Sequence, residues 1–197
     1  MPAKILVIAC GAIARELVRI QKMNGWDHIV FQCLSPELHN TPALIPAAVK
    51  AKLESTAGQY EKTFVAYGDC GTGGKLDEVL APFGVERIPG AHCYEFFTGS
   101  EPFNSITEAE PGSFYLTDFL VRHFERLVVK GLGMDRLPQL IPVYFGNYKK
   151  VVYLAQSESK TLQAMAKKHA DYLGLEYCCH HGGDGPLADA LQTAFEC

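Results

Sequence analysis

The chain alternates between short, unbroken apolar runs and longer stretches of helical periodicity. Lys4 to Ala9 is a continuous β-branched apolar run, the pattern of a strand buried on both faces. Gly11 follows, and Ala12 to Gln21 repeats apolar residues at helical spacing until Asn24-Gly25 ends the helix. The pattern then predicts a strand over 28–34, a loop with two prolines over 35–42 and a helix over 43–57. Next come a strand over 62–67, a helix over 75–82 and a short, polar strand over 85–88. This strand–helix order predicts an α/β fold, a Rossmann-like three-layer arrangement with a mainly parallel sheet.

Beyond that point the pattern is less regular. A helix is expected to start between Cys93 and Gly99, and 101–116 reads as loop-rich. Asp118 to Val129 reads as a helix with Thr117 as its N-cap, closed by Gly131-Leu132-Gly133. Pro142 to Tyr148 reads as a bend, or as a surface that packs on a partner. A strand over 149–156, a helix over 158–172, a strand over 175–179 and a final helix supply a further βαβα stretch. With no repeat and no long linker, residues 1–197 are expected to form a single α/β domain with a loop-rich insertion around 94–116.

Composition changes this picture little. The chain has 197 residues, enough for a core without disulfides, and a net charge of −4, which favours neither nucleic acid nor an anionic membrane. No apolar stretch approaches the roughly 20 residues of a membrane span, and the start of the chain lacks a signal-peptide pattern. A cytoplasmic protein acting on a small-molecule substrate is the expectation.

Seven cysteines are many for such a chain, and an odd count in a reducing compartment argues against a disulfide framework. Three share one context. Cys10, Cys70 and Cys93 each lie near the end of an apolar run beside a glycine or histidine. On parallel strands their thiols meet at the C-terminal edge of the sheet, where open α/β folds bind ligands. Three thiolates make a soft metal site with one position open, and His39 or His92 is suited to fill it. Zinc is the expected metal; a [4Fe–4S] cluster with one open iron is the alternative. Gly68 to Gly74 is the most glycine-dense segment; Gly71, Thr72 and Gly73 suit backbone N–H groups turned toward a bound anion or cluster sulfide. It is neither a Walker loop nor a dinucleotide fingerprint.

Asp69 is a candidate to orient a histidine, and Glu95 a candidate general acid–base or a helix N-terminal carboxylate. A metal-free alternative makes Cys70 a nucleophile with His92 or His39 as its base. Cys33 reads as a buried hydrophobe, and Cys197 as a frayed terminus. Cys178 and Cys179, being adjacent on a strand, point to opposite faces, and His180-His181 has no firm role. Aromatics from Tyr94 to Phe119 read mainly as core.

Ile8-Ala9-Cys10-Gly11, Leu38-His39-Asn40, Tyr67 to Gly73, His92 to Gly99, Gly112 to Thr117 and Tyr153 to Gln156 resemble a prokaryotic family of domain-of-unknown-function proteins. Members of that family are often encoded near corrinoid proteins, their methyltransferases and corrinoid-activating proteins. The resemblance implies one-carbon metabolism, with a corrinoid protein or methyltransferase as a partner. It also implies, as an alternative, a non-catalytic accessory role.

Overall fold

The structure, a computed structural model, describes residues 4–195; the expectation for Cys197 lies outside the described residues. Seven parallel strands form among the described residues, in two sheets rather than one. The first contains β1 (Ile5–Cys10), β2 (Ile29–Leu34), β3 (Lys62–Ala66) and β4 (Glu86–Arg87), in the order β2-β1-β3-β4. The second contains β5 (Ser113–Thr117), β6 (Lys150–Ala155) and β7 (Glu176–His181), in the order β5-β6-β7. The mixed α/β class and the parallel pairing agree with a Rossmann-like three-layer fold.

The chain falls into two compact units, one of Met1–Cys93 with Ala188–Cys197, the other of Tyr94–Leu187. In the first, Leu6, Val7, Ile8 and Ala9 are wholly buried, as a central strand covered on both faces requires. Helices α1 (Ala14–Asn24), α2 (Ile45–Ser55) and α3 (Lys75–Leu80) connect the strands. Gly25, at φ +64°, ends α1 with its N–H on the carbonyl of Gln21. Leu6 and Ile8 of β1 share one core with Val65 and Tyr67, closed by Ile45 and Val49 of α2 and Leu76 and Leu80 of α3. β4 is shorter than the expected 85–88, although the Ile88 N–H still reaches the carbonyl of Val65.

From β1 the chain moves to β2 on one side and, later, to β3 on the other. The boundary between β1 and β3 is therefore the topological switch point of this sheet, where such folds open a crevice at the strand C-termini.

The second unit departs most from expectation. Residues 101–116 are not loop-rich: after α4 (Glu95–Thr98) they carry α5 (Ser100–Ala109) and most of β5. Pro102 falls in the first turn of α5, where a missing N–H costs nothing, while Phe103 is buried and Ile106 packs on the core. The helix expected over 118–129 is split. α6 (Asp118–Phe124), capped as expected by the Thr117 hydroxyl accepting from the Leu120 N–H, gives way at His123 to a π-helical turn over Glu125–Lys130. The expected bend at 142–148 is α7 (Leu140–Phe145), again with proline in its first turn, closed by a turn at 146–148. α8 (Lys160–Leu173) follows β6, β7 extends to His181, and α9 (Gly185–Phe195) ends the described chain. The part of α9 in the first unit packs there: Phe195 meets Trp26 edge-on at 5.1 Å, and the Lys62 ammonium donates to the Ala194 carbonyl.

Candidate thiol site at the sheet edge

Strand alternation places the first two members of the site. Ala9 pairs with Ala66, so Cys10 and Tyr67 follow side by side at the tips of β1 and β3. Both face the core shared with α2 and α3, as do Cys70 and Cys93. The Cys10 sulfur accepts from the Ala12 N–H at 3.4 Å as the chain turns out of β1. Gly11 is required there: a side chain would meet the Leu34 carbonyl at 2.9 Å.

Cys70 is held by the segment that leads to Cys93. The Asp69 N–H donates to the Gly90 carbonyl at 3.0 Å and the Cys70 N–H to the Ala91 carbonyl at 2.9 Å. The Gly68 N–H points at the Cys93 sulfur, 3.4 Å away, and a side chain on Gly68 would strike the His92 backbone at 2.9 Å. These contacts bring the two sulfurs to 2.9 Å. Cys70 is the single non-glycine described residue at positive φ, +50°. Such strain persists only where the surroundings fix it.

The thiols differ in character. Hydrogen bonding from Cys93 lowers the Cys70 pKa, so Cys70 is the first of the pair to lose its proton. That same bond, with burial, raises the Cys93 pKa well above the usual thiol range. Burial pushes Cys10 up to about 11, and Cys70 and Cys93 both lie within electrostatic reach of it. Tyr67 adds a feature missed by sequence reasoning. Its hydroxyl is buried with no well-formed hydrogen bond; Cys10 interacts with it most strongly among the thiols, followed by Cys93 and Cys70. A tyrosine directly after the apolar run Phe64 to Ala66, just before Gly-Asp-Cys, was the available signal.

The glycine loop serves itself. Gly71, Gly73 and Gly74 take φ of +83°, +63° and +82°. The Gly73 and Gly74 N–H groups and the Thr72 hydroxyl all donate to the Asp69 carboxylate, at 3.0, 2.8 and 2.7 Å. These bonds hold Asp69 at a pKa of about 2. The donors read from sequence as a cradle for an outside anion are thus turned onto an anion of the loop itself.

His39 and His92 form a pair, their rings edge-on with centroids 5.3 Å apart. Desolvation lowers both pKa values; His92, with His39 as a second cause and Asp69 opposing, falls to about 3. Both are therefore neutral near pH 7, the form that binds metals. Glu95 belongs to the second unit, in α4, where the Ser100 hydroxyl donates to it. Cys33 is exposed rather than buried, on the edge strand β2. Cys178 meets His180 at 3.5 Å, two residues along the same face of β7. A cavity of 590 Å³ beside β4, lined by Phe64, Leu80, Arg87 and Thr193 among others, includes no thiol.

Three cysteines, one at the end of β1 and two in the loops after β3 and β4, can act as soft ligands or as a nucleophilic group. As they stand, no cluster of three or more His, Cys, Asp or Glu among the described residues is arranged to hold a metal ion. The Cys70 and Cys93 sulfurs are themselves closer than a shared ion permits. Zinc–thiolate bonds of about 2.3 Å set tetrahedral sulfurs roughly 3.8 Å apart, so Cys70 and Cys93 must part by about an ångström to share an ion.

A family model described as a protein of unknown function (DUF1638) matches residues 33–191. The chain belongs to the DUF1638 family. The matched span contains Cys70, Cys93, His39, His92 and the glycine loop, while Cys10 lies before it. No curated protein and no solved structure matches the chain.

Proposed function

We propose that this DUF1638 protein is a metal–thiolate protein. Cys10, Cys70 and Cys93 hold one soft ion, zinc before an open [4Fe–4S] cluster, and the ion activates a thiol, water or methyl-group substrate. The observation that carries this reading is that Cys10 at the end of β1, Cys70 in the loop after β3 and Cys93 in the loop after β4 pack on one core cluster, with the Cys70 and Cys93 sulfurs 2.9 Å apart. His92 and His39 are neutral donors suited to the fourth position. Bound zinc would lower the pKa of a substrate thiol or water and make a nucleophile at neutral pH.

The chain's own groups support such a site in distinct ways. Asp69 shapes the loop that carries Cys70 rather than acting as an acid or base, because its oxygens are occupied by Thr72, Gly73 and Gly74. The Tyr67 hydroxyl is placed to donate to a thiolate once the thiols lose their protons. Methyl-group chemistry, and a corrinoid protein or methyltransferase as partner, enter through the family resemblance. A non-catalytic accessory protein of such a system is the alternative.

The test is elemental analysis with acid-labile sulfide on protein purified without oxygen, beside a Cys10/Cys70/Cys93→Ser triple variant. One zinc per chain, absent from the variant, is expected. Iron with sulfide would replace zinc by the cluster. No metal in either protein would overturn the reading.

A further inference from the structure

The same backbone contacts that crowd Cys70 and Cys93 suggest a second chemistry. Residues 68–70 and 90–93 run side by side, tied by Asp69 N–H to Gly90 and Cys70 N–H to Ala91. There is no room for a side chain at Gly68, and its N–H faces the Cys93 sulfur. The 2.9 Å approach of the sulfurs thus lies between two segments whose main chains are clamped together. It is shorter than a shared zinc allows and lies on the way to a bond of about 2.05 Å. The left-handed backbone at Cys70 belongs to the same constraint. Cys10 does not share it: its sulfur accepts from Ala12, in its own turn.

We propose that Cys70 and Cys93 are a dithiol–disulfide couple, and that closing the disulfide removes two of the three thiols from the metal site. The first part stands on the clamp alone; the second rests on the proposed metal function. The oxidant is a small-molecule disulfide of the glutathione class. The thiolate of one cysteine attacks a sulfur of that disulfide, whose S–S bond breaks and releases one thiolate, which takes up a proton. The second cysteine loses its proton and displaces the other small thiol from the mixed disulfide. Two protein thiols are oxidised by two electrons, and one small disulfide is reduced to two thiols.

The experiment equilibrates reduced, chelator-treated full-length protein with oxidised and reduced glutathione. Acid quenching, alkylation of the remaining thiols and peptide mapping by mass spectrometry follow. A Cys70–Cys93 cross-link is expected as the dominant product, unchanged in Cys10→Ser. Cys93→Ser should give no cross-link and carry glutathione on Cys70, with its far-ultraviolet circular dichroism confirming a folded chain. Cross-links spread among the cysteines, or none under oxidising glutathione, would overturn the couple. Zinc binding to each form, read with a chromophoric chelator, tests the consequence. Binding by the reduced form alone supports it, and equal binding by both overturns it. A cross-link with no zinc binding by either form leaves the couple standing and removes the metal reading instead.

Discussion

The C-terminal edges of the two sheets carry polar side chains of opposite kinds. In the second unit, Asp118 follows β5 and is buried. Its carboxylate accepts from the Tyr153 hydroxyl at 2.6 Å, the Gln156 N–H at 3.0 Å and the Ser157 hydroxyl at 2.6 Å. The Gln156 side chain accepts from the Asp118 N–H and donates to the Leu154 carbonyl. That edge is a closed network tying β5 to β6. In the first unit, the equivalent edge holds three thiols and a buried tyrosine hydroxyl without a well-formed bond. A buried polar network that is fully satisfied fixes a fold, whereas polar groups left short of partners point to something they are kept for. The comparison is why the thiol edge, and not Asp118, is taken as the site.

The largest expected effect breaks the network side. Asp118→Ala strands a tyrosine hydroxyl and a backbone N–H, and should lower the unfolding free energy by about 2–4 kcal/mol. Cys70→Ser in metal-free protein should cost far less, and urea titration of both variants measures the contrast. If Cys70→Ser proves the more destabilising, the division between lock and site is wrong.

Acid separates two groups within the thiol edge. His92 has its folded pKa depressed to about 3, so the folded state resists a proton that the unfolded chain accepts near pH 6.5. Stability should be full above that value and decline as pH falls toward 3, by about 2–3 kcal/mol at pH 4.5. His92→Gln should flatten that slope in urea midpoints measured between pH 7 and 4.5. Asp69 acts in a lower window. Its contribution is present above its ordinary pKa near 4 and is lost as pH falls toward about 2. Asp69→Asn should cost roughly 1 kcal/mol at pH 7 and almost nothing at pH 2. A constant penalty across that range would deny the carboxylate its role in closing the loop.

These predictions draw on residues of very different legibility. β1, β3 and β6 were readable because Leu6 to Ala9, Phe64 to Ala66 and Val151 to Ala155 are unbroken apolar runs, as fully buried parallel strands demand. That Cys10, Cys70 and Cys93 would pack on one cluster was legible from the apolar runs that precede them. Partition of the strands into two sheets was not readable, since apolar periodicity reports burial and not which strand pairs with which. The helices found within 101–116 and at 140–145 each take a proline in their first turn: proline breaks a helix interior but is welcome there, and only the fold says where the turn begins. The glycine loop was legible as a nest of N–H donors, but not that Asp69 within it would occupy them. Partners so close in sequence read as a turn.

The smallest expected effect sharpens the site side. Tyr67→Phe removes a buried hydroxyl with no good partner, so stability should stay level or rise by up to about 1 kcal/mol. Zinc affinity should fall about tenfold if the hydroxyl supports a ligating thiolate. Competition with a chelator of known affinity reads the second quantity.

Cobalt(II) titration of the reduced, metal-free protein tests the central claim most directly. Sulfur-to-cobalt charge-transfer intensity counts the thiolates, and the visible ligand-field bands report tetrahedral geometry. Three thiolates around one tetrahedral cobalt, reduced to two by Cys10→Ser, Cys70→Ser or Cys93→Ser alone, is the expected result. Binding that engages only Cys70 and Cys93, or no charge-transfer band at all, would contradict a three-thiol metal site.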